Sequence, residues 1–199
     1  MPRPGRRGAP VDWLIVGLGN PGAEYERTRH NVGFEIGRAL AERWQLPKPR
    51  TRWRGLLTEG RTGPGGARVA LLLPQTYMND AGQSAGPARG ELQTPLDRVL
   101  VLHDEIDLPF GDIRVRLGGG LAGHNGLKSL RQGFGSPDFW RVRVGVGRPA
   151  STDPEIVAAY VLGRFSEPPG DVRDVVHRAA DAAERVLEDV AAEPAVPEA

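Results

Sequence analysis

The chain predicts an α/β fold: a single domain built on a twisted, mixed β-sheet flanked by helices. Three observations lead there. Short apolar runs of strand length alternate with segments of helical period along most of the 199 residues. One neighbouring pair of strands is joined by a glycine-rich turn, which gives the sheet an antiparallel member. The length suits one buried core, and no internal repeat or linker divides it.

The elements follow in order. Residues 13–17 (Trp-Leu-Ile-Val-Gly) read as a buried strand. Thr28 is placed to cap a helix running to about Trp44, with Val32, Ile36, Ala39 and Leu40 at helical spacing. Gly33 and Gly37 lie one turn apart inside it; each costs about 1 kcal/mol relative to alanine, so close packing against the sheet is expected. Pro47 and Pro49 end the segment. Residues 53–59 and 68–73 read as strands joined by the turn Thr62-Gly63-Pro64-Gly65-Gly66. Residues 78–90 suit a helix, and 98–103 a central apolar strand. Residues 112–117 alternate, placing Ile113, Val115 and Leu117 on one face and Arg114 and Arg116 outward on the other. Gly118-Gly119-Gly120 opens a flexible loop before a helix near 125–132. Residues 141–147 alternate again, with Val142, Val144 and Val146 inward and Arg141 and Arg143 outward. Residues 153–162 and 171–191 close the domain as helices, the last strongly amphipathic through Val172, Val175, Val176, Ala179, Ala183 and Val186. Residues 1–12, basic and rich in Pro and Gly without the apolar core of a signal peptide, read as a disordered extension. Residues 192–199 read as a frayed tail, so the domain is 13–191.

Composition narrows the function. The formal net charge is only +1, yet between Arg114 and Arg148 seven basic residues face a single acid, Asp138. Such a basic face on a near-neutral protein fits a local polyanion site better than whole-surface nucleic-acid coating. With no cysteine, disulfides and thiolate metal sites are excluded, which fits a cytoplasmic protein. No apolar run approaches membrane-span length. No His-x-x-x-His or calcium-loop spacing points to a metal.

Two motif matches lack the surroundings that their chemistry needs. Gly17-x-Gly19-x-x-Gly22 has the spacing of a dinucleotide fingerprint, but Pro21 removes a backbone N–H and the helix starts only near Thr28. Gly82-x-Ser84-x-Gly86 matches a serine-hydrolase elbow, but Ser84 falls inside a helix rather than directly after a strand. A triad of Ser84, Asp104 and His124 remains the alternative from that class.

His30 is the principal candidate base. It follows a glycine-rich loop that leaves a buried strand, with Asn20 just beyond the strand end. A neutral imidazole there can take a proton from water and return it to a leaving group. At the end of the central strand, His103-Asp104-Glu105-Ile106-Asp107 supplies acids; Asp104 is placed to orient His30, although spacing alone does not separate it from Glu105 or Asp107. Asn79 and Asn125 stand near helix starts, either as amide donors to substrate or as N-caps. His124 either contacts substrate or shapes its loop, His103 reads as structural, and His177 lies on a polar helix face.

Six segments in order carry a wider likeness: 17–22 (Gly-Leu-Gly-Asn-Pro-Gly); Tyr25 with Thr28-Arg29-His30-Asn31 and Gly33; 74–79 (Pro-Gln-Thr-Tyr-Met-Asn); 103–109; 118–129; and 141–147. Together they resemble bacterial-type peptidyl-tRNA hydrolases from Leu14 to about Phe165. The resemblance implies a phosphorylase/hydrolase-like fold, no metal or cofactor, a monomer, and cleavage of the ester joining a peptide to tRNA. It implies His30 as base on the hydrolytic water, Asp104 as its orienter and Asn20 at the ester end. Asn79 and Asn125 would bind substrate and place the water, with His124 nearby. Met78 would form an apolar wall and Tyr25 line the same cleft, while Arg114, Arg116 and Arg143 would grip tRNA phosphate. The chain departs from the pattern at Ala81, at Leu121-Ala122 and at Ile36-Gly37-Arg38, none of them a proposed catalytic group. A non-catalytic RNA-binding relative is the rival reading.

Overall fold

A computed structural model describes residues 10–192. Its sheet has seven strands in the order β2-β3-β4-β1-β5-β7-β6. These are β1 Trp13–Gly17, β2 Arg50–Arg52, β3 Gly55–Arg61, β4 Arg68–Pro74, β5 Val99–Glu105, β6 Ile113–Leu117 and β7 Trp140–Gly145. The four central strands β4, β1, β5 and β7 run parallel, and antiparallel partners close both sides. The helices are α1 Val32–Arg43, α2 Ala81–Leu92, α3 Asn125–Phe134, α4 Pro154–Val161 and α5 Pro169–Ala192.

Strand alternation divides the core in two. Trp13, Ile15, Leu71, Leu100, Leu102, Val142 and Val144 face α1 and α5. Leu14, Val16, Leu72, Val99 and Val101 face α2 and α3. Strands β2 to β4 lie on one side of β1 and β5 to β7 on the other, so the chain order reverses between β1 and β5. In open α/β sheets the crevice beyond the carboxyl ends of such strands is where ligands bind.

The glycines of the first helix hold that crevice tight. A Cβ on Gly33 would run into the carbonyl of Leu102 and the backbone of Leu18, and one on Gly17 would meet the Gly33 carbonyl at 2.5 Å. The start of α1 therefore sits directly on the ends of β1 and β5, and any side chain at Gly33 would push it off. The turn Arg29–Asn31 just before α1 carries His30.

Several sequence expectations change. Thr28 starts that turn without capping it: its hydroxyl donates back to the Tyr25 carbonyl at 2.8 Å. The strand expected at 53–59 begins at Gly55, because Trp53 and Arg54 form a tight turn with φ of 48° and 56° that pairs β2 with β3. Neither residue is a usual turn former, which is why this hairpin was invisible. Val115 and Leu117 are exposed, since β6 is an edge strand. Of the expected N-terminal extension, Asp12 belongs to the domain: its N–H donates to the Arg68 carbonyl and its carboxylate accepts the Arg68 N–H, both at 2.7 Å. Val11 also packs against the core, while residues 1–9 of the extension and 193–199 of the tail lie outside the described residues.

Candidate active site

The site forms where the sheet leaves polar groups at strand ends. β5 is buried throughout, and its last turn of sequence brings Asp104 to 2 % exposure beneath the turn carrying His30. His30 Nδ1 lies 3.0 and 2.9 Å from the two Asp104 oxygens. Asp104 Oδ1 is also 2.9 Å from His124 Nε2. One carboxylate thus serves two imidazoles.

The protons can be assigned from the bonds. His124 Nδ1 accepts the backbone N–H groups of Gly126 and Leu127 at 3.1 and 3.3 Å, so it carries no proton. The neutral ring must then hold its proton on Nε2 and donate it to Asp104. His124, not Asn125, is the N-cap of α3. His30 likewise donates from Nδ1, which leaves Nε2 as the basic lone pair. His30 lines a cleft of about 300 Å³ with Glu105, Lys128, His124 and Asn125, closed on the far side by α4.

Burial and charge act against each other here. Burial alone would raise the Asp104 carboxyl, but attraction and hydrogen bonds from His30 and His124 hold it well below the usual carboxylate range. Burial lowers His30, and the Asp104 carboxylate more than reverses this, so the net shift is upward from 6.5. His103 is enclosed next to them, edge-on to His124 at 5.1 Å between ring centroids. Burial, then repulsion from His124, pushes it down to about 3, so it stays neutral and buttresses the His124 ring, in keeping with a structural residue.

His30, Asp104 and His124 also offer three ligand atoms within 4.8 Å of one another, the donor set of a transition-metal site. Sequence spacing hid this cluster because its members come from three segments. Its protonation disfavours metal: ligation through His124 Nε2 would need either an imidazolate or loss of the α3 cap.

Asn20 is fixed on three sides. Its N–H and C=O pair with the amide of Asn31 at 2.8 and 2.9 Å, and its Oδ1 accepts the Met78 N–H at 2.7 Å. Its Nδ2 is left without a partner among the described residues. The clamp is Asn31, which sequence reasoning passed over; its signal was an amide side chain immediately before the apolar start of α1. Each buried bond of this kind contributes about 1 kcal/mol net.

The other expected site residues fall into three groups. Asn125 is exposed on the cleft rim and Asn79 is exposed in an adjoining groove beside Lys128 and Arg131; neither is an N-cap. Tyr25 is half-buried and meets the exposed Tyr77 edge-on at 6.3 Å. Met78 is only 3 % exposed: its side chain belongs to the core beside Leu18 and Gly126, and its backbone N–H is what faces the site.

The basic strands hold a second correction. Register sets Arg114 opposite Arg143 and Arg116 opposite Arg141, like charges facing like charges. Arg141 does not point outward to solvent; it is 2 % exposed and donates to the carbonyls of Gly119, Gly120 and Pro137, holding the base of the glycine loop. Arg143 is drawn to Glu105 at 3.1 Å. Arg114 and Arg116 are exposed, Arg114 lying 3.7 Å from Asp112. Ser84 is fully buried in α2 with no partner for its hydroxyl, and both His124 nitrogens are engaged, so the serine triad is ruled out.

Comparison with known proteins agrees. The family model described as "Peptidyl-tRNA hydrolase" matches residues 14–196. A peptidyl-tRNA hydrolase of Geobacillus kaustophilus is 47 % identical over 175 residues, 87 % of this chain and 92 % of its own. One from Gloeobacter violaceus is 49 % identical over 154 residues, 77 % of this chain and 76 % of that protein. The crystal structure of peptidyl-tRNA hydrolase from Acinetobacter baumannii superposes with a TM-score of 0.76 at 35 % identity, covering 93 % of this chain and 97 % of the other.

Proposed function

Since the chain belongs to the peptidyl-tRNA hydrolase family, hydrolysis of the ester between peptide and tRNA is its reaction, and we propose that the His30–Asp104 pair drives that reaction by activating water. The observation that carries this reading is the bond from His30 Nδ1 to Asp104 at 2.9 Å, which leaves Nε2 as a base lining the cleft. His30 Nε2 takes a proton from water as the water oxygen bonds to the ester carbonyl carbon. Asp104 stabilises the imidazolium. Negative charge moves to the carbonyl oxygen, where the Asn20 Nδ2 and the Asn125 amide are the donors at hand. The carbon–oxygen bond to the ribose then breaks, and His30 returns its proton to the ribose oxygen. A peptide carboxylic acid and a tRNA with a free hydroxyl leave. No step calls for a metal or cofactor.

The arginines on β6 and β7 supply the polyanion grip in this reading. Arg143→Ala is expected to weaken tRNA binding and lower its salt slope by less than one unit, because Glu105 already neutralises part of its charge. Arg116→Ala, whose guanidinium pairs with no carboxylate among the described residues, is expected to lower the slope by about one. Binding titrations between 50 and about 200 mM salt read both, and equal or absent changes would count against the grip. We place the enzyme in the cytoplasm, acting as a monomer; no helix among the described residues is long and apolar enough to cross a membrane. Release of tRNA from a purified peptidyl-tRNA tests the function directly, and a protein that binds without cleaving would be the RNA-binding rival.

A further inference from the structure

We propose that Arg29 is a positioning residue that fixes α4 as one wall of the cleft, by tying it to the turn that carries His30. Helix α4 is eight residues long and apolar in sequence, yet most of it is exposed, Ile156 at 48 %. It lacks the packed face that normally holds a helix in place. Its inner side, with Val157, Ala158 and Val161, nonetheless lines the cleft across from His30 and Asp104.

What holds it converges on one side chain. Arg29 is 6 % exposed, with its guanidinium 4.0 Å over the Tyr160 ring. Its Nη1 donates to the Tyr160 carbonyl at 3.1 Å and its Nη2 to the Ser166 hydroxyl at 3.3 Å. Its backbone N–H donates to the Gly163 carbonyl at 3.0 Å, and Thr28 pairs with Arg164 in a short antiparallel bridge. Tyr160 in turn donates to the Val146 carbonyl at 2.6 Å, linking α4 to the end of β7. Arg29 has no carboxylate partner among the described residues, and its Nε is buried without an acceptor. A buried cation balanced only by carbonyls, a hydroxyl and an aromatic face is costly for the fold alone. The arrangement uses what only arginine offers, a planar fork that donates twice while stacking.

This inference rests on the reading of His30 as base, because it makes α4 the opposite wall of that base's cleft. Arg29→Lys keeps the charge and loses the fork. It is expected to raise KM for peptidyl-tRNA about five-fold or more, with kcat within about two-fold and the acid limb of the kcat–pH profile unmoved. Amide hydrogen exchange at residues 157–162 should quicken, while α1 and β5 stay protected. Tyr160→Leu should act in the same direction, and the double variant should be no worse than the more affected single variant. Unchanged KM, or a fall in kcat and thermal stability at constant KM, would overturn the proposal; so would loss of folding in both single variants, since Arg29 would then hold the whole fold. The exchange readout does not depend on which residue is the base, so failure of this inference is separable from failure of the His30 mechanism.

Discussion

Replacing His30 by alanine is expected to lower kcat on peptidyl-tRNA by about 10²–10⁴-fold, the range for a positioned acid–base group. The cleft, the Asn20 clamp and the arginines all survive the change, so KM should move little. Single-turnover cleavage, with binding measured separately, reads the two apart. Substantial residual turnover in a folded variant would remove His30 from the mechanism. The wild-type profile carries a matching signature. Because Asp104 raises His30 above its ordinary 6.5, the acid limb of kcat/KM should have its midpoint above that value. The same pair affects stability. The raised histidine contributes fully below 6.5 and loses its contribution as pH climbs through the folded value; the depressed Asp104 contributes above about 3.8 and loses it on acidification. The stability cost of losing the imidazole should therefore be greatest between those limits and shrink on the alkaline side.

Asp104→Asn is the second large effect, with kcat expected to drop about 10²-fold or more although the shape of the site is kept. The carboxylate accepts two N–H bonds, one from each imidazole, using both oxygens. An asparagine can turn its oxygen toward His124 and keep the α3 cap intact. Its NH₂ then faces His30 Nδ1, which must become an acceptor. That moves the His30 proton to Nε2, the atom that has to receive one from water. Turned the other way, the amide serves His30 and forces His124 to give up either its bond or its cap. NMR of the imidazole nitrogens would show the exchanged tautomer alongside the lost rate. An unchanged tautomer with full activity would show that the acid is not the orienter.

How much of this could be read from the chain depends on range. His30 was legible because it follows the glycine-rich loop leaving β1, and the acids 104–107 because they close β5, although spacing left Asp104 level with Glu105 and Asp107; in an open sheet such ends meet. The double service of Asp104 was not, since His124 reaches it from a loop twenty residues further on, and histidine is an unusual cap. Alternation correctly put Arg141 and Arg143 on the face opposite Val142 and Val144. It did not reveal that a glycine loop lies over Arg141 or that Glu105 reaches Arg143, because period two reports the face and not what covers it. Met78 was read from its side chain, and the bond from its backbone N–H to Asn20 was not visible in the chain. The β2–β3 turn escaped because Trp53 and Arg54 take a positive-φ conformation that their identity does not announce.

The facing arginines of β6 and β7 have one further effect. With Arg114 set against Arg143 and Arg116 against Arg141, this sheet edge holds like charges face to face, and among the described residues carboxylates pair only with Arg114 and Arg143. On the proposed grip, a phosphate chain laid along this edge would relieve that tension, so part of the expected affinity for tRNA would come from repulsion already present in the protein. Cargo capture and the cohesion of this edge would thereby be coupled, the edge holding together most firmly with a polyanion laid across it.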